Sequence, residues 1–73
     1  MTELPFSVVH FNEMGEVECI PSSWLLENGK KCMWPPFRNP GKLRRAIRLL
    51  QTPASDWETY SVRLLKSCGK YYI

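Results

Sequence analysis

The chain has 73 residues, a formal net charge of +3, an apolar share of 44%, three tryptophans and three cysteines. Length limits it to one domain, residues 1–73. A domain this small buries only about 60% of the surface its unfolded chain exposes, which leaves little scaffold for an enzyme cleft. The apolar share and the tryptophans argue for a packed core and against disorder.

The charge is divided. Residues 1–29 hold Glu3, Glu13, Glu16, Glu18 and Glu27 and no lysine or arginine, whereas residues 30–73 hold every base and only Asp56 and Glu58. Such a split makes a dipolar surface whose basic side favours an anionic partner. The plainer explanation is solvation and pairing between the two halves. Cys19, Cys32 and Cys68 are odd in number and lack CxxC spacing. The opening MTELPFSVVHF has no basic n-region, and no run approaches the ~18 apolar residues of a membrane span. The expectation is an intracellular protein with reduced thiols and no membrane contact.

In chain order, Phe6 to Phe11 is rich in Val and Phe, Asn12-Glu13-Met14-Gly15 supplies turn chemistry, and Glu16 to Ile20 alternates acid and apolar residues. This pattern predicts a β-hairpin in which Phe11 faces Glu16, His10 faces Val17 and Val8 faces Cys19. Phe6, Val8, His10, Val17 and Cys19 then form the expected core face, with Glu16 and Glu18 pointing away together with Val9 and Phe11, which are left to pack against another part of the chain. Pro21 ends the second strand, and a serine at 22 or 23 is placed to cap one helical turn that buries Trp24 and Leu25. Asn28-Gly29 marks a turn, and Lys31 to Trp34 reads as a short strand stopped by Pro35-Pro36.

Asn39-Pro40 is a helix start, an N-cap residue followed by proline at the first helical position. Leu43, Ala46, Ile47 and Leu50 follow at i, i+3, i+4, i+7, and Arg44, Arg45 and Arg48 occupy the opposite arc, with Lys42 between the two. Thr52-Pro53 is expected to end the helix. Ser55-Asp56-Trp57-Glu58 has the form of a capping box, and Thr59 to Lys66 alternates as a strand with Tyr60, Val62 and Leu64 on one side. Ser67-Cys68-Gly69 reads as a turn before a short aromatic end, Lys70 to Ile73. The resulting fold class is α+β: a small antiparallel-type sheet of three to four strands, in the order β-β-β-α-β, with one basic amphipathic helix packed on a face.

The pattern FSVVHF, then a strand running into P-S-S-W-L, then C-x-W-P-P, a basic helix and W-x-x-Y-x-V resembles a small module at the N-terminal ends of animal proteins. Here these are Val17 to Leu25, Cys32 to Pro36, Lys42 to Leu50 and Trp57 to Val62. The module is frequent in insects and other invertebrates, and some of its carriers look transposon-derived. Longer members continue past the last strand into a further helix. The resembled module carries no established biochemical activity. Its company of chromatin- and mobile-element-associated proteins implies a nuclear setting.

Between Lys30 and Gln51 the chain holds Lys30, Lys31, Arg38, Lys42, Arg44, Arg45 and Arg48 and no acid. Arginine pairs bidentately with phosphate, and a cationic helix face gains affinity by releasing counterions. The site expected from the sequence is therefore Arg38, Lys42, Arg44, Arg45 and Arg48, contacting nucleic acid or an acidic protein partner. The competing explanation is the solvated outer side of a packed helix. Trp24, Trp34 and Trp57 build either a core or an aromatic groove, core being the commoner use of tryptophan in small domains. His10, Cys19, Cys32 and Cys68 add up to a zinc-type ligand set, but they are scattered singly rather than paired, so buried thiols are expected instead of a metal. No nucleophile–base motif or glycine-rich phosphate loop is visible, so neither catalysis nor a cofactor is expected. The alternative role is a protein-protein interaction or self-association domain without nucleic-acid contact, resting on the opposed charge halves and the surplus of aromatics.

Overall fold

Strand β1 (Phe6–Phe11) and strand β2 (Val17–Pro21) pair antiparallel around the Asn12–Gly15 loop. The structure, a computed structural model, describes residues 4–70. Gly15 closes the loop at φ 71°, a conformation that favours glycine, and the Phe11 N–H donates to Glu16 O at 2.8 Å. Val8 lies opposite Cys19 and His10 opposite Val17, the register expected from the loop length.

The faces divide differently from expectation. Val9, Phe11 and Ile20 are buried almost completely, whereas Val17 is 53% exposed. Val9, Phe11 and Ile20 join the apolar cluster, and so do Phe6 and Cys19 of the expected core face, with Val8 packed against it. Phe6 and Cys19 are also buried, on the opposite face of the hairpin. Both sides of this hairpin are thus covered in part, a situation that simple alternation does not distinguish from one covered side.

A 3₁₀ turn at Ser22–Trp24 follows, burying Trp24 as expected, but no serine side chain caps it. Ser22 Oγ instead donates to the Leu4 carbonyl at 2.7 Å and lies 2.7 Å from Ser7 Oγ, tying the turn to β1. Leu25–Leu26 then forms β3, which pairs with β4 (Lys31–Trp34) across a turn whose Glu27, Asn28 and Gly29 all have positive φ. The helix α1 spans Pro40–Arg48, and β5 spans Glu58–Cys68.

All pairings are antiparallel and the sheet has five strands in the order β2-β1-β5-β4-β3. This corrects the three-to-four-strand sheet and its β-β-β-α-β order. The missed element is β3: two residues carry no alternation, and only the left-handed turn at Glu27–Gly29 folds Leu25 and Leu26 back onto Cys32 and Lys31. The last strand takes the centre. It pairs with β1 on one side and β4 on the other, with a register shift between Val8 and Val9. Such a bulge lets one strand bend across two partners. Ser67 and Cys68, expected in a turn, continue β5 because Ser7 and Phe6 pair with them. The Ser55–Glu58 capping box does not form either. Trp57 N–H closes a tight turn onto Ala54 O at 3.1 Å, and Glu58 already pairs with Trp34. Of the expected aromatic end, positions 71–73 lie outside the described residues.

The helix begins as its sequence predicts. The Asn39 side chain accepts from the N–H groups of Gly41 and Lys42 at 2.8 and 3.1 Å. It ends earlier than Thr52-Pro53 suggests. The Leu50 N–H donates to Ile47 O and the Gln51 N–H to Ala46 O, with Leu50 at φ 53°. This is the paired-bond C-terminal motif that glycine normally completes, and a left-handed leucine there costs about 1–2 kcal/mol. Leu50→Gly is therefore expected to stabilise the domain by about 1 kcal/mol, because Leu50 is 43% exposed and loses little packing. Thermal unfolding would show a midpoint higher by roughly 4–8 °C. A lowered midpoint would mean that the leucine side chain holds more than its backbone conformation costs.

The core is an aromatic chain. Tyr60 and Trp34 meet Phe11 edge-on at 6.1 and 5.2 Å, Trp24 meets Trp34 and Trp57 at 6.1 and 4.9 Å, and Phe37 meets Trp57 at 6.0 Å. Near-perpendicular rings set the positive edge of one against the negative face of the next. Ala46 and Ile47 of α1 join this cluster with Val9, Ile20, Cys32 and Val62.

Candidate functional site

Asn39 and Pro40 fix where α1 starts, and Ala46 and Ile47 fix which side it buries. Together they decide where the cations point. Arg44, Arg45 and Arg48 fall on the side away from Ala46 and Ile47, and all are exposed, as are Arg38 and Lys42. Leu43 is half-buried, and Leu49 at the end of the helix is 71% exposed. On one flank, Asn39, Lys42, Arg45, Arg48, Leu49 and Gln51 line an open recess.

The acids do not neutralise this surface. Among the described residues the ion pair formed is Lys31 Nζ to Glu27 Oε2 at 3.4 Å, at the β3–β4 turn. Glu16 and Glu18 act on each other, and Glu58 and Glu13 act on Tyr60. The Tyr60 hydroxyl donates to Glu58 at 3.1 Å and its pKa is raised, by that hydrogen bond first and then by the charges of Glu58 and Glu13. Burial and then the neighbouring Glu16 raise the Glu18 carboxyl. Arg38, Lys42, Arg44, Arg45 and Arg48 make no ion pair among the described residues.

Two features of this surface carry no obvious sequence signal. Lys42 Nζ sits 4.5 Å from the centroid of the Phe37 ring, so the aromatic chain ends by seating one of the cations. Trp24 Nε1 donates to the Gln51 carbonyl at 2.7 Å, which anchors the C-terminal end of the helix to the core. An aromatic preceding a basic helix was the available hint for the first. The second depends on where the helix ends, which periodicity did not give.

The three tryptophans take the core place rather than a groove. Trp24 is fully buried, Trp57 nearly so and Trp34 half-buried. The cysteines are free and buried on three different strands. Among the described residues no three His, Cys, Asp or Glu side chains gather closely enough to hold a metal. The His10 Nδ1 atom is buried without a hydrogen-bond partner there. No described helix is long and apolar enough to cross a membrane.

Burial pushes the Cys32 thiol up to about 12. A thiol held neutral in the folded state stabilises fully below its ordinary value of 9.0, and that contribution is lost as pH rises toward 12. Stability is therefore expected to fall across that window, and less steeply in Cys32→Ala. Because the thiolate is the reactive form, Cys32 should also resist alkylation at pH 8 until the domain unfolds. Rapid labelling of Cys32 in the folded protein would contradict the burial.

No family model, curated protein or solved structure matches the chain.

Proposed function

We propose that this domain is a non-enzymatic binding module that contacts nucleic acid, or the proteins associated with it, through the outer face of α1. The observation that carries the reading is the set Arg38, Lys42, Arg44, Arg45 and Arg48, all exposed and without an ion pair among the described residues. Among the described residues these side chains make no ion pair, which sets intramolecular pairing aside and leaves a solvated outer helix face as the competing explanation. Cations in water beside a polyphosphate release condensed counterions on contact, which supplies affinity without sequence reading. Three buried free thiols suit a reducing compartment, and the resemblance to modules of chromatin- and mobile-element-associated proteins favours the nucleus.

The test is an anisotropy titration of labelled DNA and RNA oligonucleotides, single- and double-stranded, at about 50 mM salt, where phosphate contacts are strong. Binding of any of them that weakens with added salt supports nucleic-acid contact, and binding of none overturns it. A second reading, self-association or protein binding without nucleic acid, is favoured by exposed Leu49 beside the cations and by Val17 on edge strand β2. Light scattering that shows a strict monomer at all concentrations would remove self-association.

A further inference from the structure

Resting on that reading, we infer that the anion this face fits is double-stranded DNA, with α1 lying in the major groove and its cations reaching phosphates on both walls. Three observations converge. The first is angular. At 100° per residue Arg44, Arg48, Arg45 and Lys42 spread over roughly 160° of the helix circumference, with Arg44 at one limit and Lys42 at the other. A single phosphate strand meets a narrow line of side chains, whereas a groove meets both flanks of a helix at once. A helix about 10–12 Å across matches a B-form major groove about 12 Å wide, and the major groove of an RNA duplex is too narrow for it.

The second is position. Ala46 and Ile47 hold α1 on the core, the helix approaches edge strand β2, and Lys42, Arg44, Arg45 and Arg48 are left exposed. A helix held to the core by one side and cationic on the other presents that outer side to a groove with the sheet behind it.

The third concerns what the site lacks for other nucleic acids. Single strands are held by bases stacking on bare aromatic faces. The aromatic ring nearest these cations is Phe37, and Lys42 lies over it while Trp57 packs on it edge-on. The helix N-terminus offers no phosphate cradle of its own, because Asn39 already accepts from the Gly41 and Lys42 N–H groups. Binding thus falls to side chains on the two flanks, which contact backbone phosphates and position the domain without reading sequence.

The experiment measures the affinity of the whole chain for a 20-base-pair DNA duplex, each of its single strands and the RNA duplex of the same sequence, together with Arg44→Ala and Lys42→Ala. The DNA duplex is expected to bind on the order of 10-fold tighter than the single strands, whose counterion release per contact is smaller, and than the RNA duplex, whose major groove is too narrow for the helix. Each variant should lower duplex affinity and reduce the salt slope by about 1. Single strands or the RNA duplex binding as tightly as DNA would overturn the groove assignment while leaving nucleic-acid contact intact. A loss confined to one variant would overturn the two-wall geometry. Absence of binding to every ligand would overturn nucleic-acid contact, and this inference with it.

Discussion

Replacing Arg44 and Arg48 together by glutamate is expected to lower nucleic-acid affinity on the order of 100-fold while leaving the fold in place. Each charge-assisted bond to a phosphate contributes about 1.5 kcal/mol or more, and two such losses amount to roughly two decades in Kd. The glutamates add repulsion to the loss. Both positions are exposed and neither makes an ion pair among the described residues, so stability should change by no more than about 0.5 kcal/mol. The comparison variant is Lys31→Glu, which removes the one described cation that already pairs with an acid. Its effect on affinity should be several-fold smaller. Equal losses from the two variants would show that affinity follows net charge rather than the helix face.

The largest stability effect should come from Trp24→Ala. Trp24 is fully buried, meets Trp34 and Trp57 edge-on, and donates to the Gln51 carbonyl. Truncating a buried tryptophan costs about 3–5 kcal/mol, and a domain of this length has roughly 4–10 kcal/mol in total. Much of the protein should therefore be unfolded at 37 °C, read by circular dichroism and urea titration. Trp24→Phe separates the two contributions. It keeps a ring in the aromatic chain but strands the Gln51 carbonyl, costing about 1–3 kcal/mol, and should loosen the end of α1 before the sheet. If Trp24→Phe proves neutral, the indole hydrogen bond does not anchor the helix.

The local chemistry of the chain was legible where one residue decides the outcome. Asn39-Pro40 starts the helix, Pro35-Pro36 ends β4, and the hairpin loop sets the pairing of Val8 with Cys19. What escaped depends on contacts far apart in sequence. Leu25–Leu26 has no strand signature and becomes one only because three successive left-handed residues return it to β4. Ser67 and Cys68 look like turn residues until Phe6 and Ser7 pair with them. The buried side of β1 depended on what covers each face of the sheet, which alternation does not encode. For the site, the positions of the arginines followed from helical spacing alone. Whether acids covered them did not: that required knowing that Glu13 and Glu58 lie by Tyr60 and that Glu16 adjoins Glu18.

The central claim is that the outer face of α1 binds phosphate through a handful of cations acting together. It is tested most directly by the slope of log affinity against log salt for duplex DNA. Five contacts, from Arg38, Lys42, Arg44, Arg45 and Arg48, predict a slope near about −4.5, at roughly −0.9 for each phosphate neutralised. A slope near zero, or one left unchanged when Arg44 and Arg48 become glutamate, would contradict it.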